Sequence, residues 1–141
     1  MITLDTTTRS LEIVLGGAIT TNQLPIVVTY VDMTTTAYTP VTNTTQTNNT
    51  TAVTAVAAPA AATQRQIKFL SIRNADTASA IVTMRYNDNS TLREIVKFTL
   101  DANDALIYTD GEGFRVFSSD GTLKQGVSLS IGGDNTEVQY N

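Results

Sequence analysis

A 141-residue chain of net charge −4 and pI near 4.6 lacks the basic stripe that phosphate binding needs, so nucleic acid is not an expected partner. With no His and no Cys, it can form no disulfide, no thiolate metal site and none of the common nucleophile–base pairs, and nearly all zinc sites are excluded. Thr occurs 26 times and Asn 10 times, against 7 for Glu and Lys together, a balance that favours pleated surfaces and turns over helices.

Val, Ile, Leu and Phe supply 36 residues, enough apolar surface for one packed domain over residues 1–141. Met1 to Ser10 is polar without a basic-then-apolar leader pattern, and no apolar run approaches the roughly 18 residues of a membrane span. The expectation is a soluble, unsecreted product with no membrane partner. Leu11–Leu15 and Ile26–Met33 then read as strands, separated by Gly16-Gly17 and Asn22, with Pro25 opening the second.

No Lys or Arg occurs between Arg9 and Arg65, and only Glu12 and Asp32 are ionised there. Such a neutral stretch implies either disorder or cover by neighbouring chains. From Val41 to Thr63 the chain is low in complexity, Thr and Asn first and Ala later, with Pro40 and Pro59 near its ends. Two readings stand for it. One is a flexible linker or long loop. The other is an extended interface arm, in which Thr50, Thr51, Val53, Thr54 and Val56 add a strand to a neighbouring subunit's sheet edge.

The C-terminal half carries strand-length runs at Ile67–Arg73, Ala80–Tyr86, Thr91–Leu100, Ala105–Thr109 and Phe114–Phe117, divided by clusters of Asn, Asp, Gly and Ser. That spacing predicts an antiparallel meander. Leu92, Val96, Phe98 and Leu100 share one side of their strand, opposite Arg93, Lys97 and Thr99, while Ala80, Val82, Met84 and Tyr86 alternate with Ile81, Thr83 and Arg85. One face is buried and the other is wet or meets a polar partner, which predicts an all-β antiparallel sandwich or jelly roll. Val127, Leu129 and Ile131 make a last alternating strand before Gly132-Gly133, and the remainder reads as a tail. No segment sustains a helical period, so any helix is short.

The chemistry left to such a chain is carboxylate chemistry, which needs two acids about 5 to 10 Å apart across a cleft. Asp76, Asp88, Asp101, Asp104, Asp110, Glu112 and Asp120 all lie in turn clusters, where Asp serves backbone hydrogen bonding. Glu94 is a mid-strand acid on the side of Leu92 and Val96, with Arg85 or Arg73 as the expected partner. Asp101-Ala102-Asn103-Asp104 and Asp110-Gly111-Glu112 match no calcium-loop spacing, and Gly111-Glu112-Gly113 lacks the rest of a dinucleotide fingerprint and reads as a hairpin turn. No catalytic, metal-binding or cofactor-binding residue is assigned, and an enzyme is not expected.

Ile67 to Thr77, Ala80 to Tyr86 and Leu106 to Val116 together resemble small virion proteins of tailed bacteriophages, most nearly head decoration or cement proteins. The likeness spans Gln66 to Gln125 as a pattern of strands and turns. It implies a sandwich or jelly-roll subunit, a homo-oligomer and often a trimer, on the outer capsid surface. There it would clamp neighbouring capsomers, with the major capsid protein as its partner, after assembly in the host cytoplasm. The alternative is a tail-associated or receptor- and glycan-binding module, for which five Tyr, four Phe and no Trp are available.

Overall fold

The computed structural model describes residues 1–125, 127–128 and 139–140. The strands are β1 (Ile2–Leu4), β2 (Arg9–Leu15), β3 (Pro25–Met33), β4 (Tyr38–Gln46), β5 (Val53–Val56), β6 (Gln64–Arg73), β7 (Ala80–Asp88), β8 (Thr91–Leu100), β9 (Ala105–Thr109), β10 (Gly113–Phe117), β11 (Leu123–Gln125), β12 (Val127–Ser128) and β13 (Gln139–Tyr140). No helix occurs among the described residues.

Two antiparallel sheets pack into a β-sandwich. The larger runs β11-β10-β9-β6-β3-β4, with β1 also on β6; the smaller runs β5-β2-β7-β8. Period-2 alternation builds the core between them. Ile26, Val28, Leu70 and Leu106 from the large sheet and Ile13 and Met84 from the small one are completely buried, and removing such surface from water is the main stabilising term. Tyr108 and Tyr86 secure β1 at one end, the first accepting from the Ile2 amide at 3.0 Å and the second donating to the Thr3 carbonyl at 3.3 Å.

Turn chemistry sets the hairpins. Asn89 and Ser90 both take positive φ, at 51° and 72°, which is the backbone of a two-residue turn whose twist matches the flanking strands β7 and β8. Gly111 and Gly113, at φ 87° and 84°, turn β9 into β10.

The expected meander is interrupted twice. β6 pairs with β3 and β9, while β7 pairs with β2 and β8, so the chain crosses to the other sheet after β6 and back after β8. The connection at residues 74–79 carries buried polar anchors in place of a tight turn, which lets it span the layers. Asn74, fully buried, donates its amide to the carbonyls of Ala78, Leu100 and Asp101 and accepts from the Asp76 amide. It ties both crossovers together.

Alternation also breaks on β8. Met84 faces Val96 but Arg85 faces Glu94, so Ile95 is an extra residue. The bulge reverses the faces beyond it: Leu92, expected on the buried side, is 51% exposed, and Glu94 is exposed beside Lys97. Val127 of the expected last strand lies in β12; Leu129, Ile131 and the Gly132-Gly133 pair lie outside the described residues.

Candidate interface surfaces

The Thr- and Ala-rich segment holds parts of two strands that pair within the chain. Residues 41–46 complete β4, in unbroken register with β3 from Pro25–Gln46 to Met33–Tyr38, and Val53–Val56 forms β5 on the chain's own β2. Thr supports this because its β-branched side chain suits a pleated, half-exposed surface. In β4, Val41, Asn43 and Thr45 turn inward while Thr42, Thr44 and Gln46 are exposed.

The proposed arm residues therefore separate. Val56 is core, 1% exposed, next to fully buried Ala55. Val53 is half-buried and opposes Ile13, while Thr50, Thr51 and Thr54 are exposed. The turn before β5 is clamped by its own chain. Asn49 accepts from the Ile19 amide and the Gln23 side chain, both at 3.0 Å, and Thr47 Oγ1 accepts from the Leu24 amide while donating to Gln23.

A seam closes this side of the sandwich. Asn43 Nδ2 donates to the Ala55 carbonyl at 2.8 Å, so a β4 side chain covers part of the free edge of β5. Arg65 pairs with Asp32 through two parallel bonds of 2.6 and 2.8 Å, lies 4.4 Å over the Tyr30 ring and donates to the Ala57 carbonyl. That geometry uses the planar fork of Arg in a way Lys cannot. Its bond to Asp32 raises the Arg65 pKa.

Several of the described acids hold the chain's own loops. Asp76 accepts from the amides of Thr20, Thr21 and Asn22 and from the Thr21 hydroxyl; those bonds, the Thr20 amide first, hold its pKa well below the usual carboxylate range. Asp120 is lowered to about 2 by bonds from the Ser118 and Thr122 hydroxyls and the Thr122 amide. Asp101 and Asp104 converge on Lys124, whose pKa they raise. A cationic side chain thus stands between the two acids of that turn, and among the described residues no cluster of three metal-ligating side chains occurs.

Glu12, missed in the sequence, is the buried strand acid, paired with Arg85 at 3.2 Å and accepting from Asn87 at 2.8 Å. Its neighbours in sequence, both apolar, hide the fact that a cross-strand Arg awaits it. Glu94 lies across the ladder from Arg85 but bridges to Lys97. The cations do not form a stripe: Arg73 and Arg115 belong to the large sheet, and Arg85, Arg93 and Lys97 to the small one.

A recess of about 230 Å³ is lined by Leu15, Gly16, Gly17, Ile19, Ser79 and Ile81, with Asp76 as its one ionisable group. Both oxygens of that carboxylate are already engaged by the Thr20–Asn22 segment. The recess offers no second acid or base to work with it.

An extended surface is the outer face of the large sheet, where exposed Arg73 lies opposite Ala105 at one side of two further rows. Across the strands, Thr44, Val27, Ser71, Ile107 and Arg115 form one row and Thr42, Thr29, Phe69 and Thr109 the next. Only Arg115 is charged in these two rows, and it is paired with Glu112. Thr29 and Thr42 hydroxyls lie 3.2 Å apart on this face.

No protein-family model, curated protein or solved structure matches this chain.

Proposed function

We propose that the chain is a structural virion protein of the tailed-phage decoration type, which binds the outer surface of a capsid as a homo-oligomer and clamps neighbouring major capsid subunits. The observation that carries this reading is the outer face of the large sheet, two strand-crossing rows with one paired charge among their side chains. A face of Thr, Val, Ile and Phe suits a protein partner, because interface cores are poor in charge while the rim stays polar. The Gln66–Gln125 resemblance supplies the assembly class. Engagement of several copies at once supplies strength through effective concentration, even where each contact is weak.

The test is rebinding. Capsids stripped of this protein are expected to take up the purified chain and to survive a higher temperature afterwards; capsids that bind none of it overturn the reading. Phe69→Lys, placed on the outer face, is expected to weaken binding at least about tenfold by introducing an unpaired charge. Binding to a glycan array together with labelling at the tail would instead support a receptor-binding module. Among the described residues that module has one strongly exposed aromatic, Tyr38 at 62%.

A further inference from the structure

The small and large sheets each leave a long strand at an edge, and the two edges differ. β8 is interrupted by the Ile95 bulge and carries Arg93, Glu94 and Lys97, the devices by which proteins discourage strand addition. β4, Tyr-Thr-Pro-Val-Thr-Asn-Thr-Thr-Gln, carries no Asp, Glu, Lys or Arg and no bulge over nine consecutive pairs with β3, and its one such device is Pro40.

Which backbone groups β4 leaves free follows from its ladder. The Thr47 amide bonds the Leu24 carbonyl and the Thr34 amide bonds the Ala37 carbonyl, so the bonded positions of the hairpin are those in phase with residues 47 and 37. Antiparallel pairs alternate. The N–H and C=O groups of Tyr38, Pro40, Thr42, Thr44 and Gln46 therefore point away from β3, and the same five residues are exposed.

We infer that this edge pairs with the β4 edge of a second copy, antiparallel, about a two-fold axis at Thr42. The five outward positions are symmetric about that residue. Thr42 meets Thr42 of the second copy, Pro40 meets Thr44, and Tyr38 meets Gln46. Every outward N–H then finds a carbonyl, because proline lacks the donor but keeps the acceptor. Only the Thr44 carbonyls go without one. An axis moved one residue to Asn43 would set Tyr38 against Asn48, beyond the end of the strand, and lose that completeness.

Charge also selects a second copy. Two chains of net charge −4 repel as wholes, but a strand with no Asp, Glu, Lys or Arg brings none of those charges together at the contact. A two-fold contact requires a self-complementary surface, and β4 meets that requirement by its backbone alone. The pairing joins the outer faces of two large sheets into one.

This inference names the surface for the self-association in the proposed function and rests on that reading. Sedimentation equilibrium of the full chain is expected to give a dimer. Thr42→Pro removes an outward donor while leaving the backbone bonds to β3 in place, at the loss of the exposed Thr29–Thr42 hydroxyl contact, and Thr42→Lys sets two like charges against each other at the axis. Each is expected to raise the dimer dissociation constant at least about tenfold while circular dichroism stays that of the parent. Because the chain has no Cys, Thr42→Cys is expected to oxidise to a covalent dimer, and Leu92→Cys on β8 is not.

A monomeric parent chain, or an oligomer indifferent to both edge substitutions, overturns the β4 pairing. A monomer that still coats stripped capsids overturns it, and with it the homo-oligomer in the proposed function, while the capsid binding stands; a β4-dependent dimer that binds no capsid overturns the capsid binding and leaves the β4 pairing standing. Edge-dependent binding of a monomer to capsid subunits assigns the edge to a strand of another protein and overturns the second copy as occupant.

Discussion

Asn74 and Asp76 stand two residues apart, buried and hydrogen-bonded in the connection where the chain changes sheet. Asn74→Ala takes the side-chain donor from the Ala78, Leu100 and Asp101 carbonyls, the last of which keeps the Asp104 amide, and leaves the Asp76 amide without its acceptor, which predicts a loss of about 2–4 kcal/mol of unfolding free energy in urea titrations. Asp76 and Asp120 both have pKa values below their unfolded values near 4. Their stabilisation is therefore complete above about pH 4 and is lost as pH falls through the folded values, for Asp120 near 2. Urea midpoints are expected to drop steadily below pH 4, and Asp76→Asn is expected to lower the midpoint at pH 7 while flattening that drop. An equally steep drop in the variant would refute the assignment. The sequence placed both residues in a turn cluster, and Asp at turns is common enough that nothing marked these as buried; the partners of Asp76 lie over fifty positions away.

At the scale of elements, β8 and β5 show where alternation informs and where it misleads. Val96, Phe98 and Leu100 follow the period, but Ile95 adds a residue and turns Leu92 outward. Leu92→Ser is accordingly expected to change stability by no more than about 0.5 kcal/mol, whereas Met84→Ala in the facing strand should cost about 2–5 kcal/mol; comparable losses for the two would put Leu92 back in the core. A bulge depends on cross-strand register, which a single strand's pattern does not contain. β4 and β5 were hidden for another reason, since Thr, Asn and Ala give little hydropathy contrast and a strand made of them looks like a linker. Deleting residues 41–63 removes most of β4 and all of β5, including Ala55 and Val56, so the truncated chain is expected to lose its cooperative thermal transition, not just its attachment to a partner.

For the whole molecule, the two-sheet architecture was legible because strand length, turn residues and the lack of helical period all agreed, and agreement across levels is what specifies a fold. The path between the sheets was not legible, since it depends on Asn74 and on the Asn43 and Arg65 seam. An all-β topology in which β1–β6, β2–β5, β2–β7, β3–β6 and β6–β9 join strands distant in the chain folds slowly, on the order of milliseconds to seconds, and stopped-flow refolding is expected to fall in that range. The strand ladder of β5 is internal, on the chain's own β2, which the sequence could not show because a run such as Thr-Thr-Ala-Val-Thr-Ala-Val suits any free edge alike.

The inequality of the two sheets' edges bears on how far assembly can proceed. A subunit with two receptive rims could chain indefinitely into a filament, but here one rim is kinked and charged, the far strand of the large sheet spans only Leu123–Gln125, and β5 is partly capped by Asn43. Among the described residues one rim is receptive, and it is consumed when two molecules meet, so growth terminates there, and a concentrated solution of this Thr-rich protein should stay free of fibres.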